Sequence, residues 1–310
     1  VLSSLVPVLL AGLAWDLYGR RVALGTLAFA SLYFPFFDYA GYVMSENPLT
    51  FCFAAAAWLL VRALRIGGSR AGLLCAGLSG VWLGLACSFK STALACGGCT
   101  GLVLAALAWK HGLALKRHFL IAAAGLLLVL VPVAIRNTKA SKGKFCLLAN
   151  QTGANFLLGK YGRIRGAEFN DRQRGLTYMF GSPAAAQRGY TEVTRFEVGM
   201  YEDRKLFEIT WERMNAQPGE TLLISLEHVS DLFFFVRPWP SCEVEITRSW
   251  VRLYQFVFLF AVLLPALLHL GRKGMDFFRL ARGAWAELLL SAPLVGIVLV
   301  AFVFMAEPRH

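Results

Sequence analysis

Three charged residues stand where an apolar chain meets water, and their types suit chemistry on a polar, phosphate-bearing ligand. Glu46 opens an apolar run in Met44-Ser45-Glu46-Asn47-Pro48. Lys90 lies in the short connection Phe89-Lys90-Ser91, and Arg136-Asn137 follows the apolar exit Val131-Pro132-Val133-Ala134-Ile135. A carboxylate at such a boundary is available as a base, a metal ligand or an acceptor for a sugar hydroxyl. An ammonium or guanidinium there can hold a phosphate, the guanidinium bidentately. Each residue also has a plainer reading. Asn47 as N-cap and Pro48 in the first turn make a good helix start, with Glu46 comfortable near its positive end. Lys90 can snorkel to the interface, and Arg136 can anchor a helix exit. Asp38, about two helical turns before Glu46, is harder to explain by capping. An acid within a membrane span faces protein or a cavity.

Beyond Arg136 the chain turns basic and rich in Asn and Gly. Asn150, Gly153, Asn155 and Gly159 are expected to form a turn-rich loop whose amides and backbone N–H groups line a polar cavity. Asn150-Gln151-Thr152 is formally a glycosylation sequon, a three-residue match that carries little weight. Gly84-Leu-Ala-Cys-Ser-Phe89-Lys90-Ser91 nearly spells a phosphate-binding loop, but Phe89 stands where the second glycine is needed and no strand precedes it. The five histidines have no metal-ligand spacing, so no metal site is expected, and no cofactor is evident. A divalent metal is open in principle but has no visible ligand set. Five of the seven cysteines (Cys52, Cys75, Cys87, Cys96 and Cys99) lie in apolar runs and read as small packing residues. Cys146 and Cys242 fall outside those runs and could pair in an oxidising compartment.

The elements that must position these groups are apolar helices. With 57% hydrophobic and 16% charged residues, the chain lies outside the usual soluble range. Eight apolar runs stand out, at roughly 1–15, 22–42, 48–64, 71–88, 92–109, 119–135, 251–270 and 287–306. They approach the length needed to cross a bilayer, where only helices satisfy their own backbone. The expected fold is therefore all-α: a polytopic integral membrane protein with about eight transmembrane helices and an external helical segment. Gly77, Gly80 and Gly84 have the spacing that lets helices approach closely.

Charge fixes the expected orientation. Twelve Lys and Arg residues occupy alternate connections, around Arg20, Arg62–Arg70, Lys110–His118 and Gly271–Arg282. The two short opposite connections hold one, Lys90. The positive-inside rule puts the basic set in the cytoplasm and Glu46, Lys90 and the 136–249 segment outside, in an inner or plasma membrane. The net charge of +12 belongs to this pattern and to membrane lipids. No nucleic-acid motif accompanies it, so a nucleic-acid partner is not expected. The domain reading is 1–135 transmembrane, 136–249 external with amphipathic helices, and 250–310 transmembrane. Within the external part, residues 160–190 read as irregular. Residues 191–215 and 221–236 read as helices lying near the membrane surface. A cytoplasmic interfacial helix is expected over 273–285. The chain has no initiator Met and opens inside an apolar run, so a longer protein truncated at both ends is expected.

In this order the features resemble the GT-C membrane glycosyltransferases, specifically the family 39, aminoarabinose-transferase-like and protein O-mannosyltransferase-like group. Met44-Ser45-Glu46-Asn47-Pro48-Leu49 resembles that group's acidic span opening. Gly80-Val-Trp-Leu-Gly84-Leu-Ala-Cys-Ser-Phe-Lys90-Ser91 resembles its Gly-rich hairpin ending in Lys. Pro132 to Gly159 resembles its exit from the membrane, and Glu307-Pro308-Arg309-His310 the start of its C-terminal motif, with His310 where Tyr is usual. The resemblance implies transfer of a sugar, hexosyl or pentosyl, from a polyprenyl-phosphate donor to a lipid, protein or glycan acceptor at the extracytoplasmic face, in cell-envelope glycosylation. Lys90, Arg136 and Arg309 would then serve the phosphate, Asn137 and the 150–159 segment the cavity, and Glu46 and Asp38 would be secondary carboxylates. The family's principal acid lies in its first external loop, so the main base is expected upstream of Val1.

Two other readings compete. A transporter or flippase of lipid-linked cargo predicts charges at the bilayer midplane and paired broken helices. Here the intramembrane charges are sparse and sit at the span ends. A non-catalytic scaffold would use the external segment for partners and need no cavity near Glu46, Lys90 and Arg136.

Overall fold

The computed structural model describes residues 2–33, 46–141, 145–148, 152–161, 168–171, 176–179, 203–234, 253, 256–257, 259–280 and 285–304. Among these the protein is all-α apart from one short hairpin. The helices are α1 (Leu2–Tyr18), α2 (Arg20–Ser31), α3 (Glu46–Ile66), α4 (Arg70–Phe89), α5 (Thr92–His111), α6 (Leu113–Ala140) and α7 (Thr152–Tyr161). Then come strands β1 (Glu168–Asp171) and β2 (Leu176–Met179), followed by α8 (Asp203–Ala216) and α9 (Pro218–Phe234). A π-type turn, Leu259–Leu263, leads into α10 (Leu264–Arg272), α11 (Gly274–Phe278) and α12 (Trp285–Val303). Among the described residues, five helices are long and apolar enough to cross a membrane: α3, α4, α5, α12 and α6 from Leu115. Leu2–Tyr18 and Leu259–Arg272 are shorter apolar helices. This is the polytopic integral membrane architecture expected from the apolar runs. Large apolar side chains such as Leu102, Leu128 and Leu120 are exposed on it, as lipid-facing positions must be.

Two compact units divide the chain. The first comprises 1–136, 236–297 and 309, and the second 137–235, 298–308 and 310. In the first unit, α1 and α3 lie side by side and parallel. Ser3 Oγ donates to Asn47 Oδ1 at 2.9 Å near one end, and Trp58 Nε1 donates to Asp16 Oδ2 at 2.8 Å near the other. Gly12 lets the Trp58 ring lie against the α1 backbone between them. α3 and α4 are antiparallel, and α4 starts on an N-cap in which Ser69 Oγ accepts from Gly72 N at 3.1 Å. Gly67 and Gly112, which turn the chain between α3 and α4 and between α5 and α6, both have positive φ, a region that costs other residues.

The basic connections gather at one end. Arg62 is 3.6 Å from Asp16. The buried His118 ring bonds the Gly67 carbonyl at 3.1 Å. Lys110 donates to the Arg279 carbonyl, and the His111 ring bonds the Leu280 carbonyl at 2.7 Å. Four connections separated in sequence therefore share one face of the bundle, as the alternation of charge requires. A buried cluster of Leu60, Leu104, Leu107 and Leu289 lies just inside that end.

α4 and α6 pack through small residues. A Cβ at Gly80 would collide with the Ala122 carbonyl and one at Gly125 with the Gly77 carbonyl, and one at Gly84 would lie 2.8 Å from Val129 Cβ. Contacts between backbones this close are what small residues permit in a membrane, where hydrophobic burial does not drive helix pairing. The partners advance together along both helices, so α4 and α6 are parallel.

In four places the structure differs from the sequence reading. α3 begins at Glu46, so Asn47 lies inside the first turn and its side chain takes the Ser3 hydroxyl. Part of the supposedly irregular 160–190 stretch is an antiparallel pair, with Phe169 opposite Tyr178 and Asn170 opposite Thr177. The helix expected over 273–285 is limited to the five residues of α11 where it is described. α9 starts at Pro218, three residues before the helix expected over 221–236, because the proline's missing N–H is harmless in a first turn.

Candidate functional site

The contacts between α3 and α4 form an ordered series. Gly72 approaches the Ala63 carbonyl, Ser79 Oγ donates to the Ala56 carbonyl at 2.7 Å, and the Phe51 and Trp82 rings meet edge-on at 5.4 Å. The next step along the same seam joins Glu46 and Lys90. Lys90 Nζ lies 3.2 Å from Glu46 Oε1. Glu46 is buried, at 8% exposure, and the Lys90 side chain keeps 17%. α5 begins at Thr92, two residues after Lys90, whose own backbone is extended, so the ammonium is held at a tight corner. A charge pair this well covered must be well formed, since each ion loses hydration there.

Arg136 is exposed near the C-terminal end of α6. Because α6 runs parallel to α4, carrying the Gly84–Val129 pairing about two turns further brings the turn before Arg136 level with Lys90. Glu46, Lys90 and Arg136 therefore share the end of the first unit opposite the basic connections. Asp38 and Arg309 lie outside the described residues.

The remaining candidates belong to the second unit. Asn137 Nδ2 donates to the Leu148 carbonyl at 2.9 Å, and Thr138 Oγ1 accepts from Cys146 N at 3.1 Å. These two bonds fold the chain back against the end of α6. Asn150 lies outside the described residues, as does Cys242, while Cys146 is a buried free thiol. Gly153, Asn155 and Gly159 are on a helix, not in the turn-rich loop expected of them. Asn155 is exposed. Gly159 packs against the Phe304 backbone, and its carbonyl is bonded by the His228 ring at 3.0 Å. The glycine allows a close approach; it does not open a loop.

Sequence reasoning missed Lys160. It is 2% exposed and donates to Ser225 Oγ and to the Phe302 carbonyl, each at 2.6 Å. The Phe302 ring also lies 5.4 Å away. Burial lowers its pKa from the ordinary lysine value to about 8. The available signal was the apolar Phe156-Leu157-Leu158 run before it, which marks this part of the segment as packed.

A small apolar cleft of about 50 Å³ lies in the first unit between α3, α4, α5 and α12, lined by Phe53, Leu60, Leu83, Leu289 and Pro293 among others. The Ser79 and Thr100 hydroxyls at its wall are turned to carbonyls of Ala56 and Cys96. Among the described residues no group of three or more His, Cys, Asp or Glu side chains is placed to hold a metal ion.

Residues 1–139 match the family model described as dolichyl-phosphate-mannose-protein mannosyltransferase. Over that part the chain is similar to the GT-C membrane glycosyltransferases, as the motif order indicated. Glu46, Lys90 and Arg136 fall inside the matched segment; Asn150, Gly153, Asn155, Gly159 and Arg309 lie beyond it. No curated protein and no solved structure matches the chain.

Proposed function

We propose that the protein transfers a sugar from a polyprenyl-phosphate donor to an acceptor at the extracytoplasmic face of its membrane. The observation that carries this reading is the Glu46–Lys90 pair, set inside the segment that matches the mannosyltransferase family and at the end of the bundle remote from the basic connections. Lys90 would face the donor's phosphate, with Glu46 fixing the ammonium at the corner between α4 and α5. Arg136, level with it on a parallel helix, would take the phosphate from a second side. Two cations converging on a leaving phosphate stabilise the charge that develops as the glycosidic bond breaks. The proton of the acceptor hydroxyl needs a carboxylate base. Glu46 is already engaged with Lys90, so another carboxylate is needed as the main base. Asp38 and Arg309 are further candidates for the carboxylate and phosphate roles, and Asn137 for the cavity wall.

The test is an assay of the full-length protein in membranes with radiolabelled polyprenyl-phosphate sugars. Lys90→Ala and Arg136→Ala are expected to depress transfer at least tenfold at unchanged expression, and Lys90→Arg to recover part of it. Unchanged turnover in both alanine variants would remove the phosphate role from these residues. No turnover by the parent protein with any such donor, set against movement of intact donor between leaflets, would favour the flippase reading.

A further inference from the structure

In α9 polar side chains share the buried face with Ile224, while leucines lie outward. Thr221, Ser225 and His228 are buried on one face, at 5%, 2% and 1% exposure, while Leu222, Leu223 and Leu226 are exposed at 51%, 64% and 50%. At 100° per residue, the three leucines fall within an arc of about 100°. Glu220 and Glu227, both exposed, flank that arc on one side. α8 repeats the pattern: Thr210 is fully buried, whereas Phe207 and Trp211, one turn apart, are exposed.

The buried polar face makes hydrogen bonds within the second unit. Ser225 Oγ accepts from Lys160 and donates to the Thr221 carbonyl at 2.9 Å, and the His228 ring bonds the Gly159 carbonyl. A unit surrounded by water would not sequester an ammonium and three polar side chains while presenting leucine, phenylalanine and tryptophan outward. In hydrocarbon the same arrangement is required, because polar groups there must find partners inside the protein.

The same unit also contains the end of a span. Lys160 donates to the carbonyl of Phe302, in the last turn of α12, and Gly159 packs against the Phe304 backbone. The Phe156 ring stands between Phe207 of α8 and Phe304, at 5.0 and 5.9 Å. α7, α8 and α9 are thus fastened to the final turn of a helix long and apolar enough to cross a membrane. We propose that the Leu222–Leu223–Leu226 face of α9, with Phe207 and Trp211 of α8, rests in the acyl-chain and headgroup boundary of one lipid leaflet. The second unit is then seated at the membrane surface and is not a water-borne domain. The glutamates beside the leucine arc mark the edge of α9 that reaches water, as in helices that lie in the interface plane. This inference does not depend on the transferase reading.

The test places a nitroxide on Leu223→Cys, Leu226→Cys and Glu227→Cys, one at a time, in the whole protein in lipid nanodiscs. The parent protein, treated identically, supplies the background from native thiols. Labels at 223 and 226 are expected to collide with dissolved oxygen more than with a water-soluble nickel chelate, with the order reversed at 227. Leu222→Cys repeats the measurement should either leucine variant fail to fold. Nickel reaching the leucine positions as freely as position 227 overturns the proposal in favour of a solvated face. Dipolar broadening between labels on two copies, with neither reagent reaching them, overturns it in favour of a protein partner.

Discussion

Lys90 Nζ lies 3.2 Å from Glu46 Oε1 across 44 residues of sequence, and the whole α3–α4 seam leads up to that contact. Neither side chain is solvated enough to lose its partner without cost. Lys90→Ala and Glu46→Ala should each destabilise the protein, and the double variant should be less harmful than the two effects added. A coupling of about 1–2 kcal/mol is expected, within the range for contacting charged groups. A double-mutant cycle on reversible unfolding in detergent measures it, and strictly additive effects would show that the contact contributes nothing.

The opposite end of α3 offers a graded comparison. Asp16 accepts from Trp58 and faces Arg62, whose side chain is 48% exposed. Arg62→Ala should cost at most about 0.5 kcal/mol, as exposed ion pairs do. Trp58→Phe loses one hydrogen bond, about 1 kcal/mol, plus some packing. Asp16→Ala leaves the indole N–H without its acceptor and should cost the most, about 2 kcal/mol. Thermal unfolding of the three variants tests the order.

How much of this was legible in the sequence follows from range. The spans were readable because each is a local apolar run, and the gathering of basic connections because charge alternates along the chain. Glu46, Lys90 and Arg136 were each visible as boundary residues. Charge alternation also put all three on one side; the direct Glu46–Lys90 contact was not visible, since it depends on the antiparallel seam of α3 with α4. Asn47 misled because Ser-Glu-Asn-Pro fits an N-cap locally, while the Ser3 hydroxyl that takes its side chain lies on another helix. Lys160 was not singled out, because only the fold brings Ser225 and the Phe302 carbonyl to it. The β1–β2 pair went unread because four-residue strands carry too little periodicity.

Lys160 also predicts a pH dependence. Its folded pKa is about 8, below the ordinary 10.5, because burial disfavours the charged form. Between those values the unfolded chain holds a proton on this amine that the folded protein does not, so stability rises with pH across that window. Below about pH 8 the ammonium is present in both states and the cost of burying it is constant. The melting temperature should therefore climb between pH 8 and 10, and Lys160→Met should flatten the climb. An equal climb in the variant would assign the effect to other groups.

The α4–α6 contact predicts opposite signs for one substitution at two glycines. A methyl group at Gly80 meets the Ala122 carbonyl, which belongs to a helix backbone and cannot rotate away. The two helices must separate, and the Gly77–Gly125 and Gly84–Val129 contacts above and below are lost with it. Gly80→Ala should cost about 2 kcal/mol or more, the range for overpacking a close interface. At Gly101, in the middle of α5, a methyl group meets nothing within 4 Å. There the substitution only removes the glycine's conformational freedom from the unfolded chain, and Gly101→Ala should stabilise by about 0.5–1 kcal/mol. Melting temperatures of the two variants in the same detergent should move in opposite directions from the parent. A harmless Gly80→Ala would mean that α4 and α6 do not meet through their backbones, and with that the placement of Arg136 level with Lys90 would fall.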